Sequence, residues 1–161
     1  MMAPELCVFV PSNNVDKRGN PRPLDGNNEL VRQARTGAYV ANARKIANER
    51  HVAAHVAAAM AEQGWTAPDG PSTVTLTFVE VGYKRDPDNV FGAAKFILDA
   101  LCTPRPTGRV GRRGREVVIH ANGCGALVDD SQEYVVLRMA LSDKPDREHP
   151  GVWIRIRRIE K

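Results

Sequence analysis

The pattern of apolar and polar residues along the chain predicts four β-strands. Each predicted strand is rich in β-branched or aromatic side chains, and the later three alternate in polarity, as is typical of strands with one buried face. The four segments are residues 5–10, 73–81, 132–141 and 151–159. A short polar turn around Pro145 separates the last two segments, and we interpret them as an antiparallel hairpin.

Two other segments have helical patterns. Residues 38–63 are rich in alanine and lack glycine and proline, and Val52 and Val56 can share an apolar stripe. Gly64 follows directly, as is typical of a helix end. A second helix is predicted from about residue 90 to residue 101, where aromatic and aliphatic side chains face the core.

Two stretches have no sustained periodicity and are interpreted as loops. Residues 15–36 form a basic loop, and residues 102–126 form an arginine-rich insertion. Glycines between the arginines of residues 105–115 predict a backbone too flexible to pack. The predicted order is therefore β-α-β-α-β-β. This order predicts an α/β fold in which a small mixed four-stranded sheet packs against two helices, in a single domain spanning residues 1–161.

Composition bounds the class of protein. A chain of 161 residues with 42% hydrophobic and 26% charged residues suits one globular domain. The net charge of +4 favours polyanionic partners. Three cysteines without a CxxC pair indicate free thiols in a reducing compartment. The sequence shows no apolar run of about 18 residues and no signal-peptide pattern, so we expect a cytoplasmic protein without a membrane partner.

The acidic stretch Asp86-Pro87-Asp88-Asn89 is the first candidate for chemistry. Pro87 disfavours helical geometry at Asp86, and in an extended chain residues i and i+2 project to one face. Two converging carboxylates repel each other unless a cation lies between them. The pattern therefore predicts a divalent-cation site, with an acidic helix-capping turn as the alternative. A calcium-binding EF-hand is excluded, because that loop requires glycine at its sixth position, where Phe91 stands.

Four short motifs occur in an order that resembles a known family. They are PSNN (Pro11–Asn14), DPDN (Asp86–Asn89), KFILDAL (Lys95–Leu101) and LVDDSQ (Leu127–Gln132). In this order the chain resembles the RusA-type Holliday junction resolvases, small endonucleases usually encoded by phages and prophages. The resemblance covers most of the chain from Val8 onward, although the helix at residues 38–63 matches only in pattern.

The resemblance implies a Mg²⁺-dependent endonuclease that resolves four-way DNA junctions in recombination and repair, with Mn²⁺ as a possible substitute. Carboxylates that hold Mg²⁺ beside a phosphodiester can activate water and stabilise the phosphoryl charge. The residues that match catalytic positions are Asp86, Asp88, Asp130 and Lys95, of which the three aspartates are the implied metal ligands. Asp129, which precedes Asp130, is a less suitable candidate for the third metal ligand.

The position of Lys95 depends on five residues that precede it. Lys95 lies four residues before Asp99, as in the family, but residues 90–94 lengthen the connection from DPDN. If these residues precede the helix, Lys95 keeps its place; if they lie inside the helix, it moves by most of a turn. We expect Asp99 to be its salt-bridge partner rather than a metal ligand.

Basic and amide side chains are candidates for DNA contacts. The predicted set is Asn13, Asn14, Lys17, Lys84, Arg85, Arg109, Arg112, Arg113 and Arg115. The arginines of the insertion are suited to forked contacts with phosphates on the junction arms. The alternative is a solvated loop without a role in binding.

Three further expectations follow. A four-way junction has approximate two-fold symmetry, so a homodimer would supply two active sites.

Zinc binding by His51 and His55, or by Cys102, His120 and Cys124, is disfavoured because neither set has a complete zinc pattern. The alternative functions are a nuclease acting on other branched DNA and a non-catalytic DNA-binding protein. Carboxylates close to phosphates disfavour the second alternative.

Overall fold

A computed structural model describes residues 4–160 of the chain. Within these residues the elements, in chain order, are β1 (Glu5–Pro11), β2 (Asn14–Val15), β3 (Pro21–Arg22), α1 (Asn27–Thr36), α2 (Ala38–Gln63), β4 (Ser72–Val79), α3 (Pro87–Phe91), α4 (Ala94–Leu101), β5 (Arg105–Val110), β6 (Glu116–Ile119), β7 (Val135–Leu141) and β8 (Gly151–Arg158).

The central sheet has the strand order β1-β8-β4-β7. β8 is antiparallel to both β1 and β4, whereas β4 and β7 are parallel. The predicted mixed four-stranded sheet in an α/β fold is therefore confirmed.

The predicted hairpin between the last two strands is wrong, because β4 lies between β7 and β8. Burial explains this order. Neighbouring positions of β4 and β8 form three cross-strand pairs of buried apolar residues, Val74–Ile156, Leu76–Ile154 and Phe78–Val152. Most residues of β7 are exposed or half-buried. Placing β7 at the edge therefore leaves the two most buried strands in the centre, where their apolar side chains exclude water.

The core lies between one face of this sheet and the helices α2 and α4. α2 packs against both α4 and β1. Val52 and Val56 of α2 are fully buried, as the apolar stripe predicted. α2 ends at Gly64, which has a φ of 67° in the left-handed region and whose N–H bonds the Met60 carbonyl.

The basic loop at residues 15–36 contains more regular structure than predicted. β2 and β3 form a short antiparallel pair, and α1 occupies the second half of the segment. The start of α1 is stabilised by Glu29, whose carboxylate accepts the Gly26 N–H at 2.9 Å. The loop interpretation is therefore wrong for residues 27–36, where the polar composition concealed a helix.

The arginine-rich insertion is also structured. β5 and β6 form an antiparallel hairpin, and the Gly111 N–H donates to the Arg115 carbonyl at 2.8 Å across its turn. Gly114 adopts the left-handed φ of 70° that the turn requires. The prediction that glycines make this backbone too flexible to pack is wrong, because they serve the turn between two paired strands.

The predicted helix at residues 90–101 is divided into α3 and α4. Gly92 caps the end of α3, and Ala93 caps the start of α4. Residues 90–93 therefore lie before α4, Ala94 is its first residue, and Lys95 lies in its first turn. A Cβ atom at Gly92 would lie 2.6 Å from the Asn27 nitrogen, so glycine allows α3 to approach the start of α1.

None of the helices within residues 4–160 is both long enough and apolar enough to cross a membrane.

Candidate functional site

Lys95 and Asp99 form an ion pair on one face of α4. The Lys95 Nζ lies 2.8 Å from Asp99 Oδ1, as the i,i+4 spacing predicted. The Asp99 side chain is 7% exposed, and Lys45 Nζ of α2 lies 3.7 Å from its other oxygen. Hydrogen bonding to Asp99 raises the pKa of the Lys95 ammonium above its ordinary value. Lys95 therefore keeps its positive charge at the surface.

Asp130 lies beside Lys95 although the two residues belong to different parts of the fold. Lys95 Nζ is 3.7 Å from Asp130 Oδ2. Asp130 lies on the loop that precedes β7. An earlier part of this loop is hydrogen-bonded to carbonyl groups at the end of α4. The Cys124 N–H donates to the Ala100 carbonyl at 2.8 Å, and the Leu127 N–H donates to the Leu101 carbonyl at 2.9 Å. The loop thus satisfies carbonyls that a helix end leaves open.

His120 joins these acidic residues at the end of β6. Its Nδ1 lies 3.3 Å from Asp99 Oδ1, and its Nε2 lies 3.3 Å from Asp129 Oδ1 and 3.6 Å from Asp130 Oδ1. His120 has a φ of 53°, the only left-handed non-glycine residue within residues 4–160. Such backbone strain costs about 1–3 kcal/mol and is often found at functional sites. The imidazole therefore lies between one buried and two half-buried carboxylates.

Hydrogen bonds offset the cost of partly burying the Asp129 carboxyl. Although burial raises the pKa of the Asp129 carboxyl, hydrogen bonds from the Asp130 N–H and from His120 hold it below its ordinary value. Burial, together with the carboxylates of Asp130, Asp129 and Asp99, raises the pKa of the buried Cys102 thiol. The Asp129 carboxyl is therefore ionised at neutral pH, and the Cys102 thiol is protonated.

Cys102, His120, Asp129 and Asp130 are arranged as metal ligands could be. One ligand atom from each residue lies within 4.8 Å of the other three, and no other group of three or more such residues is found in the described part of the chain. Cys124 does not belong to the group. The zinc set weighed from the sequence thus converges at Cys102 and His120 but not at Cys124, and two aspartates join it.

The DPDN segment has a different geometry from the predicted one. Asp86 is extended, with φ −66° and ψ 144°, but Asp88 lies in the first turn of α3, which begins at Pro87. Proline at the first helical position favours helix initiation. Both aspartates are exposed, and neither joins Asp130 in a metal-ligand group. The Asn89 side chain accepts the Asn28 N–H at 2.7 Å, so it connects α3 to α1.

The predicted DNA-contacting residues divide into two groups. Asn14 and Arg85 have partners within the chain: Asn14 Nδ2 donates to Asp25 Oδ1 at 3.1 Å, and Arg85 Nε donates to Glu80 at 2.6 Å. The remaining members of the set are exposed, and they are Asn13, Lys17, Lys84, Arg109, Arg112, Arg113 and Arg115. Most of the predicted set is therefore accessible to a polyanion.

A network around Asp25 was missed at the level of sequence. The buried Asp25 accepts hydrogen bonds from Arg44 at 2.7 Å and from Asn48 and Gln33 at 3.1 Å. Although burial opposes its ionisation, these bonds lower the pKa of Asp25 to about 2. Arg44 and Asn48 are spaced four residues apart on α2, and this polar pair was the available signal. Only the tertiary fold shows that Asp25 is its partner.

Two clefts lie near these networks. One, of about 580 Å³, is lined by Asn14, Asp25 and several arginines, including Arg22 and Arg32. The second, of about 440 Å³, lies between α2, α4 and the end of β6 and is lined by residues that include Lys45, Lys95, Asp99, His120 and Asn122. The second cleft therefore opens beside the cluster of Lys95, Asp99 and His120.

The two histidines of α2 contact backbone carbonyl oxygens rather than the metal-ligand group. His51 Nε2 lies 2.6 Å from the Pro11 carbonyl oxygen, and His55 Nδ1 lies 3.0 Å from the His51 carbonyl oxygen. Neither histidine belongs to the metal-ligand group.

Comparison with protein-family models, with curated proteins and with solved structures found no match for this chain.

Proposed function

We propose that the chain is a metal-dependent endodeoxyribonuclease that resolves four-way DNA junctions, as the motif resemblance to the RusA-type enzymes implies. The contact between Lys95 and Asp130 carries the proposal. The resemblance assigns both residues to catalysis from separate motifs, and their side chains lie 3.7 Å apart. A cleft beside Lys95 is also lined by Val118 and Ile119 of the basic hairpin.

Lys95 is suited to bind the phosphate at the cleavage position. Its side chain is 68% exposed, and Asp99 holds its ammonium in place by an ion pair on the same helix face. A fixed cation stabilises negative charge that develops on phosphoryl oxygens or on the departing 3′ oxygen. Lys45 lies on the other side of Asp99 and adds positive charge to the same cleft.

The β5–β6 hairpin is suited to hold DNA away from the cleavage position. Its exposed arginines present guanidinium groups that pair with phosphate oxygens in a forked geometry. Such contacts raise affinity without reading base sequence. Binding by the hairpin is therefore separable from the chemistry at Lys95 and Asp130.

Magnesium would supply a Lewis acid that activates water and stabilises the phosphoryl charge. The structure does not gather Asp86, Asp88 and Asp130 around one point. We therefore assign no step to an ion held by those three residues, and their role as metal ligands stays a prediction.

A cleavage assay tests the proposal. A labelled synthetic four-way junction, a flap and a linear duplex are incubated with the protein in Mg²⁺, in Mn²⁺ or in EDTA. We expect symmetric cleavage of the junction that EDTA abolishes. Cleavage of the flap alone would favour the alternative nuclease on other branched DNA. Tight binding of the junction without cleavage in either metal would favour a non-catalytic DNA-binding protein.

A further inference from the structure

The orientation of His120 leaves its Nε2 facing oxygen atoms. Nε2 hydrogen-bonds Asp129 Oδ1 at 3.3 Å, and Nδ1 lies 3.3 Å from Asp99 Oδ1. An Nε2–H can donate to Asp129, whereas the tautomer that carries its hydrogen on Nδ1 presents a lone pair at Nε2. This lone pair faces Asp129 and Asp130, whose carboxylate oxygens are also acceptors. Three acceptors that face one another require a cation between them, either a proton or a metal ion.

The spacing of these atoms fits a metal ion. The distances of 3.3 Å and 3.6 Å from Nε2 to the two carboxylates exceed the about 2.7–2.9 Å of a charge-assisted hydrogen bond. Metal–ligand bonds of about 2.0–2.2 Å in a tetrahedron place neighbouring ligand atoms about 3.3–3.6 Å apart. The two distances from Nε2 match that edge.

The thiol of Cys102 adds a fourth ligand atom to this group. A proton shared between two acceptors would not bind it as well. Its sulfur lies within 4.8 Å of the ligand atoms of His120, Asp129 and Asp130. A divalent ion would displace the thiol proton, which leaves to solvent, and would bind the thiolate. Thiolate and imidazole ligands suit zinc, cobalt and ferrous ions, whereas Mg²⁺ prefers oxygen ligands. The ligand types therefore select a transition metal.

Asp99 acts on the ligand His120 rather than on the ion. It lies at Nδ1, opposite the proposed metal position, and Lys45 and Lys95 hold its two oxygens. A carboxylate at this place fixes the histidine tautomer and ring orientation. Asp99 is therefore a positioning residue.

The two non-acidic ligands bracket the arginine hairpin in sequence. Cys102 follows α4 directly and precedes β5, and His120 directly follows β6. We propose that Cys102, His120, Asp129 and Asp130 bind a divalent transition-metal ion of the zinc class, which joins both ends of the β5–β6 hairpin to the loop before β7. The proposal does not rest on nuclease activity.

Metal binding in the absence of DNA tests this site. The chelator-stripped protein is titrated with Zn²⁺, Co²⁺ and Mg²⁺, and stoichiometry, thermal unfolding and the absorption of the Co²⁺ form are measured. We expect a single Zn²⁺ per chain, a higher unfolding temperature with Zn²⁺ than with Mg²⁺, and a thiolate-to-cobalt charge-transfer band. Absence of stoichiometric Zn²⁺ binding by the wild-type chain would overturn the proposal and would show that a proton occupies the position.

Matched variants identify the ligands. Cys102→Ser should remove the charge-transfer band, and Cys124→Ser, the control at a thiol outside the group, should retain it. His120→Gln should weaken Zn²⁺ binding, whereas His55→Gln should not. Asp99→Asn should lower affinity about 10–100-fold while keeping the band. Retention of the band by Cys102→Ser, or its loss in Cys124→Ser, would overturn the ligand set.

Two features of the experimental design make its outcome decisive. If Cys102→Ser does not fold, His120→Gln and Asp129→Asn test the site with every cysteine present, and unchanged Zn²⁺ affinity in both would contradict it. No DNA is used, so a negative result leaves the proposed nuclease untouched. Conversely, absence of junction cleavage would leave the metal result standing.

Discussion

At the scale of single residues, Lys95 and Asp130 are the pair on which the proposed chemistry depends. Asp99 fixes the Lys95 ammonium at 2.8 Å, and Asp130 lies 3.7 Å away on a different segment. This geometry brings together two of the four residues assigned by resemblance. The other two, Asp86 and Asp88, are exposed at the start of α3.

We predict that Asp86→Asn, Asp88→Asn and Asp130→Asn each abolish junction cleavage while junction binding stays near the wild-type level. An amide holds a cation poorly but does not repel phosphate. Lys95→Met should lower the cleavage rate about 10²-fold, by analogy with the loss of one group that stabilises developing charge. Single-turnover cleavage and gel-shift affinity measure the two effects.

Asp69→Asn is the matched control, because Asp69 is an exposed carboxylate in the turn before β4. It should cleave at the wild-type rate. Substantial Mg²⁺-dependent cleavage by any of the other aspartate variants would remove that residue from the proposed site.

A second prediction concerns Asp25 and acid stability. Its pKa is about 2 in the folded chain, against an ordinary value of 3.8. A lowered pKa in the folded state stabilises the protein above the unfolded pKa, and this stabilisation is lost as the pH falls through the folded value. The shift corresponds to about 2 kcal/mol. We therefore expect the free energy of unfolding to fall by about this amount between about pH 4.5 and pH 2 through Asp25.

The measurement is chemical denaturation across that pH range. Asp25→Asn should be less stable at pH 7, because Arg44 loses its buried partner. It should also show a correspondingly shallower fall in stability below about pH 4.5. Asp69→Asn again serves as the control. Parallel pH profiles for wild type and Asp25→Asn would contradict the assignment.

At the scale of elements, the β5–β6 hairpin carries its arginines on an exposed ribbon rather than in a flexible loop. We predict that alanine at four of its positions weakens junction binding and lowers the log–log salt slope by about 0.9 for each lost phosphate contact. The substituted residues are Arg109, Arg112, Arg113 and Arg115. The cleavage rate at saturating protein should stay close to that of wild type.

A quadruple variant with the same charge change is the control for this experiment. It replaces exposed arginines outside the hairpin, namely Arg32, Arg35, Arg138 and Arg147. Its junction binding should depend more steeply on salt concentration than that of the hairpin variant. Equal slopes in the two variants would show that net charge, rather than the hairpin, determines binding.

The junction of α3 with α1 gives a prediction about stability. Gly92→Ala places a Cβ atom 2.6 Å from the Asn27 nitrogen, and backbone atoms there cannot move without shifting α1. Overpacking of this kind costs about 1–3 kcal/mol. Gly70→Ala is the control, because a Cβ atom at Gly70 meets no atom within 4 Å. Equal unfolding free energies for the two variants would contradict the close approach.

At the scale of the whole molecule, the proposed function requires two opposed cuts in one junction. A two-fold dimer supplies two active sites through one symmetric interface. We therefore predict a homodimer in sedimentation experiments at micromolar concentration. A chain that sediments only as a monomer of 17.7 kDa while still cleaving both junction strands would contradict this prediction.

The sequence determined the features that depend on local periodicity. β-rich composition located the first strand of the central sheet, alternation located the other three, and the absence of glycine and proline located α2 up to Gly64. The i,i+4 spacing was sufficient to predict the Lys95–Asp99 ion pair, because both residues lie on one helix. Such features require only the geometry of a single element.

Tertiary structure decided the features that depend on competition between distant segments. β4 lies between β7 and β8 because it pairs its buried residues with those of β8. Cys102, His120 and Asp130 meet because the loop before β7 bonds the end of α4 while the hairpin returns His120 to its base. Asp25 is ionised while buried because α2 supplies Arg44 and Asn48. No local pattern encodes these contacts, since each depends on which distant partner excludes water or satisfies a polar group best.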